Sequence, residues 1–305
     1  MSNVASVQSS TVAGPQPLRD VDAAMGEPVA NVAQARIYLG DCLDLMSKLP
    51  DAAFALTVTS PPYNIGKSYE MPMAISEYLD WCEKWIAEVY RVTAPNGAFW
   101  LNLGYLEMPG RAKALPIAYM LWDRIPFYII QEIVWHYGAG VAAKRSFSPR
   151  NEKFLWCVKN PEDYVFNLDA VRDPDVKYPN QKKNGKLKCN PLGKNPSDVW
   201  LFPKVTSGTN RASKERTPHP AQFPVAVIDR IVKACSNAND MVLDPFMGSG
   251  STAEACLANN RVSLGMEIRE DYIRIAERRL QSFVKSTQSA RAQLHIPFWK
   301  DLEQL

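Results

Sequence analysis

Between Met241 and Glu267 the chain runs through an order of residue types that only a few folds accommodate. Met241-Val242-Leu243 is a short apolar run ended by Asp244, and the turn that follows carries Gly248 and Gly250. Ser251 to Ala258 has helix-forming composition with Ser251 or Thr252 as a cap, and Arg261 to Met266 is a second apolar run ended by Glu267. This is strand, glycine turn, helix, strand, acid. Glycines in the turn let the backbone approach a ligand closely, and the helix N-terminus offers unpaired N–H groups. An acid roughly 20 positions beyond such a turn, at the tip of the next strand, is the usual acceptor for ribose hydroxyls. The pattern predicts an α/β unit that holds a nucleoside cofactor.

A second element lies far upstream. Phe54 to Thr59 is a β-branched apolar run that the prolines of Ser60-Pro61-Pro62-Tyr63 terminate, because proline fixes φ and lacks an N–H. The carbonyls of Ser60 and Pro61 then sit in a stiff turn beside the flat ring of Tyr63. A rigid acceptor pair next to an aromatic face suits a planar base carrying an exocyclic amino group. A Pro-Pro loop with a core tyrosine is the plainer alternative for the tetrapeptide alone.

Both elements, in this order, resemble the β-class DNA amino-methyltransferases, in which the catalytic tetrapeptide precedes the cofactor loop; the resemblance runs from about Arg36 to about Leu280. It implies an α/β, Rossmann-like S-adenosylmethionine-dependent methyltransferase fold with a circularly permuted motif order and an inserted target-recognition region. It implies a catalytic role for Ser60, Pro61, Pro62 and Tyr63. Gly40-Asp41-Cys42-Leu43-Asp44 resembles the segment beside the cofactor adenine, and His219 to Pro224 the segment at its methionine end. The cofactor-binding set so implied is Asp41, Cys42, Ser60, His219, Phe223, Asp244, Pro245, Phe246, Gly248, Ser249, Gly250 and Glu267, with S-adenosyl-L-methionine as the methyl donor.

Val58-Thr59-Ser60-Pro61-Pro62-Tyr63 resembles the form associated with the exocyclic N4 of cytosine, whereas adenine N6 enzymes more often carry Asp or Asn where Ser60 stands. The implied reaction needs no metal: the base leaves the duplex, stacks on Tyr63, and gives its amino protons to Ser60 and the Pro61 carbonyl. Three rival readings remain open. Glutamine or RNA methyltransferases carry a similar tetrapeptide but generally place the cofactor loop first. A DNA-binding protein on a degenerate scaffold would not need Ser60, Tyr63, Asp244 and Glu267 intact. A nicotinamide-dependent oxidoreductase would explain the glycine loop but not the tetrapeptide.

Charge distribution supports a nucleic-acid partner. The net charge is only +3 over 305 residues, yet from Arg172 to Arg216 there are eleven Lys or Arg against four Asp or Glu. That stretch is expected to present a phosphate-seeking surface through Arg172, Lys182, Lys183, Lys186, Lys188, Arg211, Lys214 and Arg216. An ordinary solvated basic face is the alternative. Between the apolar runs Phe127–Trp135 and Phe154–Val158, the polar segment Tyr137 to Glu152 adds Lys144, Arg145 and Arg150; in the family it helps hold the flipped base and DNA.

Helical spacing of Ile75, Tyr78, Leu79, Cys82, Trp85, Ile86 and Val89 predicts a core-packed helix over about 76–91, followed by a Pro95-Asn96-Gly97 turn and a strand to Leu103. Ile228, Ile231, Val232 and Cys235 predict another helix, and a charged helix should close the chain from Glu270 to about Phe283. The expected organisation is a mobile segment 1–34, a catalytic half 35–158, a target-recognition insert 159–218, a cofactor half 219–285 and a tail 286–305. Scattered histidines and six cysteines without a Cys-x-x-Cys pair predict no metal site and reduced thiols in a cytoplasm. No apolar run approaches the ~20 residues of a membrane span. Double-stranded DNA, a partner restriction endonuclease and a monomeric or homodimeric state complete the expectations.

Overall fold

The computed structural model describes residues 16–67, 70–138, 140, 142–205 and 215–294. In chain order the first elements are α1 (Gln16–Met25), β1 (Ala30–Val32), β2 (Ala35–Leu39), α2 (Cys42–Met46), β3 (Phe54–Thr59), α3 (Ile75–Val92) and β4 (Thr93–Leu103). Next come β5 (Tyr105–Met108), β6 (Ala112–Pro116), α4 (Ala118–Leu121), β7 (Tyr128–His136) and β8 (Asn151–Val158). The hairpin β9 (Lys182–Lys183) and β10 (Lys186–Leu187) and the short β11 (Val199–Leu201) follow. The chain then forms α5 (Val225–Cys235), β12 (Met241–Asp244), α6 (Ser251–Ala258), β13 (Val262–Glu267) and α7 (Glu270–Leu294).

Nine strands make one sheet in the order β1-β2-β13-β12-β3-β4-β8-β7-β11. The central strands β2, β13, β12, β3 and β4 are mutually parallel, and β8 runs antiparallel to both β4 and β7. Each central strand is apolar on both sides because helices cover both faces. Phe99 and Leu101 of β4 face one core with Trp85 and Ile86 of α3, while Ala98 and Trp100 face the other with Ile228 and Ile231 of α5. In that second core Trp100 lies between Trp156 and Trp200, at centroid distances of 5.4 and 5.6 Å. Each such pair adds about 0.5–1.5 kcal/mol beyond the apolar area it buries.

Within the parallel part of the sheet, the direction in which successive strands are added reverses between β12 and β3. The strand after β3 extends the sheet on one side, and the strand after β12 extends it on the other. Such a switch point opens a crevice at the C-terminal ends of the strands. Gly40, Glu267, Asp244 and Ser60 stand at or just past the ends of four adjacent strands there. The start of β8 reaches the same edge, since Lys153 pairs with Leu103 at the end of β4.

Three expectations are corrected. The segment before residue 35 contains structure: α1 buries Leu18 and Val21, its Asp22 pairs with Arg36 at 2.6 Å, and β1 edges the sheet. Pro95-Asn96-Gly97 lies inside β4, as a bulge that shifts the register between Phe54 and Leu56. The closing helix α7 runs past Phe283 to Leu294.

Candidate active site

The glycine loop is organised by acids on two neighbouring strands. Asp244 is 4% exposed and its carboxylate accepts three hydrogen bonds: from Thr59 Oγ1 at 2.7 Å, Thr252 Oγ1 at 2.6 Å and the Phe246 amide at 3.2 Å. These bonds tie β12 to β3, to α6 and to the loop itself. Burial pushes its pKa up to about 6 against the pull of those donors. Asp244 is therefore spent inside the protein, shaping the loop. Glu267 accepts from the Gly248 amide at 3.0 Å and the Arg269 amide at 3.0 Å, and burial raises its pKa. Each Glu267 oxygen thus takes one backbone donor and has capacity for a second.

Gly248 has φ +53°, and a Cβ there would stand 2.9 Å from His219 Nε2, so this position has no room for a side chain. His219 Nδ1 accepts from the Ala221 amide at 3.2 Å, which assigns the ring proton to Nε2. Desolvation lowers its pKa to about 4, and its ring meets Tyr272 edge-on at 4.3 Å. Beneath the loop, Arg279 of α7 pairs with Glu254 at 2.6 Å and donates to Ser251 Oγ at 3.0 Å and to the Ser249 carbonyl at 3.3 Å. Ser249 is buried, and Gly250 caps α6 with φ +77°. Phe246 packs against Trp81 and Trp85, at 5.6 and 5.2 Å, and Phe223 against Phe154 at 5.9 Å.

At the end of β3 the tetrapeptide meets a residue that sequence reasoning missed. Asn102 of β4 is fully buried, and its Oδ1 accepts from both the Tyr63 hydroxyl and Ser60 Oγ, the latter at 3.3 Å. Ser60 Oγ and Tyr63 Oη are themselves 2.9 Å apart. Asn102 Nδ2 donates to the Lys153 carbonyl at 3.1 Å, which fixes the amide so that its oxygen faces the two hydroxyls. The only available signal was a polar residue in the otherwise apolar run Ala98 to Leu103. Glu70 is a second omission: its carboxylate accepts from the amides of Tyr63, Ile65 and Lys67 and so shapes the loop after the tetrapeptide. Tyr78 adds a bond to the Pro62 carbonyl at 2.9 Å. Gly104 lies under the Tyr63 ring, where a Cβ would come within 2.7 Å of Cε2.

Asp41 caps α2, accepting from the Leu43 amide at 2.8 Å, and the Gly40 amide donates to the Glu267 carbonyl at 3.0 Å. Cys42, expected beside the cofactor, sends its side chain into the core instead. It is 5% exposed, and burial pushes its thiol up to about 12, so it is no nucleophile at neutral pH.

The basic residues divide by exposure. Lys182, Lys183, Lys186 and Lys188 are all exposed on and beside the β9–β10 hairpin, whose turn residues Asn184 and Gly185 have φ +52° and +77°. Lys144 and Arg145 are exposed on the β7–β8 loop, and Arg216 is exposed as well. Arg150 is half-buried and donates to the Pro149 carbonyl. Arg172 departs from expectation: its side chain is 16% exposed and is held by Asp169 at 2.5 Å and the Gly193 carbonyl at 3.2 Å, so it braces the insert. Arg211 and Lys214 lie outside the described residues. Among the described residues, no helix is long and apolar enough to cross a membrane.

The fold and this strand edge define an α/β enzyme of the nucleoside-cofactor class. Comparison with known proteins makes this specific. Residues 54–278 match the family model described as DNA methylase (N6_N4_Mtase). The chain is similar to the type II methyltransferase M.ScaI of Streptomyces caespitosus, 60% identical over 269 residues and 88% of each chain. It is also similar to the DNA adenine methyltransferase YhdJ of Escherichia coli (strain K12), 35% identical over 82% of this chain and 83% of that protein. Among solved structures, a PvuII DNA methyltransferase (cytosine-N4-specific) superposes with a TM-score of 0.66 at 18% identity, covering 85% of this chain and 93% of the other. The chain belongs to the DNA methylase family.

Proposed function

We propose that this chain methylates the exocyclic N4 of cytosine at a specific duplex DNA site, with S-adenosyl-L-methionine as donor. The observation that carries the reading is Ser60, joined with Tyr63 to the buried acceptor Asn102, at the strand edge that Glu267 and the glycine loop also occupy. The residues fit the donor: Glu267 has acceptor capacity for ribose hydroxyls and Asp41 for the adenine amino group, and Gly248, without a side chain, lets His219 close on the loop. His219, Phe223, Pro245, Phe246, Ser249 and Gly250 complete that pocket, and Asp244 acts through the loop. When bound, the donor supplies an electrophilic methyl on sulfonium sulfur.

The chain's residues then do the positioning. The target base leaves the helix, since an amino group paired within it cannot be reached. Tyr63 stacks on it. Because the Ser60 hydroxyl donates its hydrogen bond to Asn102 or Tyr63, its oxygen presents lone pairs that accept one amino N–H, and the Pro61 carbonyl accepts the other. Held so, the nitrogen lone pair would be aimed in line at the donor methyl, the C–N bond forming as the C–S bond breaks, and the surplus proton would leave to solvent past Ser60. Pro62 keeps the turn rigid.

Lys144, Arg145, Arg150, Lys182, Lys183, Lys186, Lys188 and Arg216 form the phosphate-facing surface, and residues 159–218 the target-recognition insert between the halves 35–158 and 219–285. The biological setting is a cytoplasmic restriction–modification pair with an endonuclease reading the same site. Adenine N6 is the second reading, favoured by the 35% identity to an adenine enzyme. Purified protein, unmethylated genomic DNA and methyl-labelled donor decide between them by mass spectrometry of the hydrolysed nucleosides. Labelled N4-methylcytosine is expected; labelled N6-methyladenine overturns the base assignment.

A further inference from the structure

One large apolar side chain stands wholly in solvent within basic surroundings. Phe147 is 102% exposed at the tip of the β7–β8 loop, with Lys144 and Arg145 exposed beside it. An exposed aromatic ring set between two exposed cations suits a partner that offers both stacked bases and phosphates.

The loop is anchored at its base and open at its tip. The Tyr137 amide donates to the Arg150 carbonyl at 3.0 Å, closing the neck. Lys204 pairs with Glu152 at 2.6 Å and lies 3.9 Å from the Tyr137 ring centroid, clamping both strands just below it. Within the loop the Ala143 amide donates to Ser148 Oγ at 2.9 Å, which folds residues 143–148 into a compact turn around Phe147. The loop leaves the sheet at the edge that carries the tetrapeptide: Asn102, which binds Ser60 and Tyr63, also binds the carbonyl of Lys153, the third residue of β8. Tyr105, just beyond β4, adds a bond to Asn151 at 2.7 Å.

We infer that Phe147 is a wedge that enters the DNA stack and occupies the space vacated by the target base, while Lys144 and Arg145 hold the flanking phosphates. Apolar side chains carried by basic loops unstack base steps in this way, at a cost of a few kcal/mol that bound phosphates and the filled gap offset. The inference rests on DNA methylation by base extrusion and not on which base is methylated. Phe147 touches neither donor nor amino group; it is a positioning residue.

The test uses the full chain and a duplex carrying its methylation site, located by mapping labelled positions in genomic DNA. Phe147→Ala should slow single-turnover methylation of the intact duplex roughly ten- to a hundredfold, with donor affinity by calorimetry unchanged. On a duplex whose target base faces an abasic gap, extrusion is already easy, and the variant should regain wild-type rate. Phe147→Leu should retain most activity on both. An equal loss on both duplexes, or no loss on either, overturns the wedge. Base identity is read separately from the labelled nucleoside, so an error there is distinct from a failure of the wedge.

Discussion

The Thr59 hydroxyl donates to the Asp244 carboxylate across 2.7 Å, joining the residue before the Ser-Pro-Pro-Tyr tetrapeptide to the residue that opens the glycine loop. This single bond couples the two motifs of the chain across the switch point of the sheet. The fold thereby fixes the ends of β3 and β12 against each other with buried, short side chains, which have little rotamer freedom to lose.

Removing that carboxylate should damage stability as well as binding. Asp244→Ala leaves Thr59 Oγ1, Thr252 Oγ1 and the Phe246 amide without their acceptor, at a cost of about 2–4 kcal/mol. Asp244→Asn retains an oxygen for one threonine, and the other hydroxyl can rotate to accept, so its cost should be about 1 kcal/mol. Urea unfolding of both variants checks the ranking; equal stability of wild type and Asp244→Ala would show that the bonds contribute nothing.

Asn102→Ala should separate orientation from donor binding. It frees the hydroxyls of Ser60 and Tyr63, and the methylation rate constant is expected to fall roughly ten- to a hundredfold while donor affinity changes less than about twofold. Tyr63→Phe keeps the ring and should lose about tenfold or less, whereas Tyr63→Ala should lose on the order of a hundredfold. Single-turnover rates beside calorimetric donor affinities provide the comparison, and a Phe variant as impaired as the Ala variant would contradict ring stacking.

The strand–turn–helix–strand unit from Met241 to Glu267 and the helix over α3 were legible because their periodicities are strong and their ends are marked by Asp, Gly and Pro. What escaped was written in contacts between distant segments. Asn102 reads as one polar residue in a strand until β4 is placed beside β3. Arg172 reads as a free cation until Asp169 and the Gly193 carbonyl are seen to hold it. The β9–β10 hairpin carried an Asn184-Gly185 turn signal, but the lysines around it lack the apolar alternation that marks a strand, so the stretch reads as loop. Helix α1 lies in a segment whose composition resembles a disordered tail, and only its packing on the core gives it order.

The hairpin lysines should govern affinity without governing sequence choice. Replacing Lys182, Lys183, Lys186 and Lys188 by Gln should weaken DNA binding and flatten the slope of log affinity against log salt by up to about one per lysine removed. Titrations at several salt concentrations, with duplexes that do and do not contain the methylation site, give the slope. A loss confined to the site-containing duplex would instead assign these lysines to base readout.

His219 makes stability depend on acid in a direction that can be isolated. Its folded pKa is lowered from 6.5 to about 4 by burial, so it stays neutral in the fold while the unfolded chain takes up a proton. Its contribution is therefore complete above pH 6.5 and is lost as pH falls towards 4, by up to about 3 kcal/mol. Asp244 acts oppositely: its folded pKa is raised from 3.8 to about 6, so its contribution is present below pH 3.8 and is lost as pH rises through 6. The two partly cancel in the wild type between pH 4 and 6. A His219→Gln variant removes one side of that balance, so its stability relative to wild type should improve steadily from pH 7 to pH 4. Denaturant unfolding across that range measures the difference, and a gap between the two proteins that stays constant with pH would mean that His219 is not held neutral by burial.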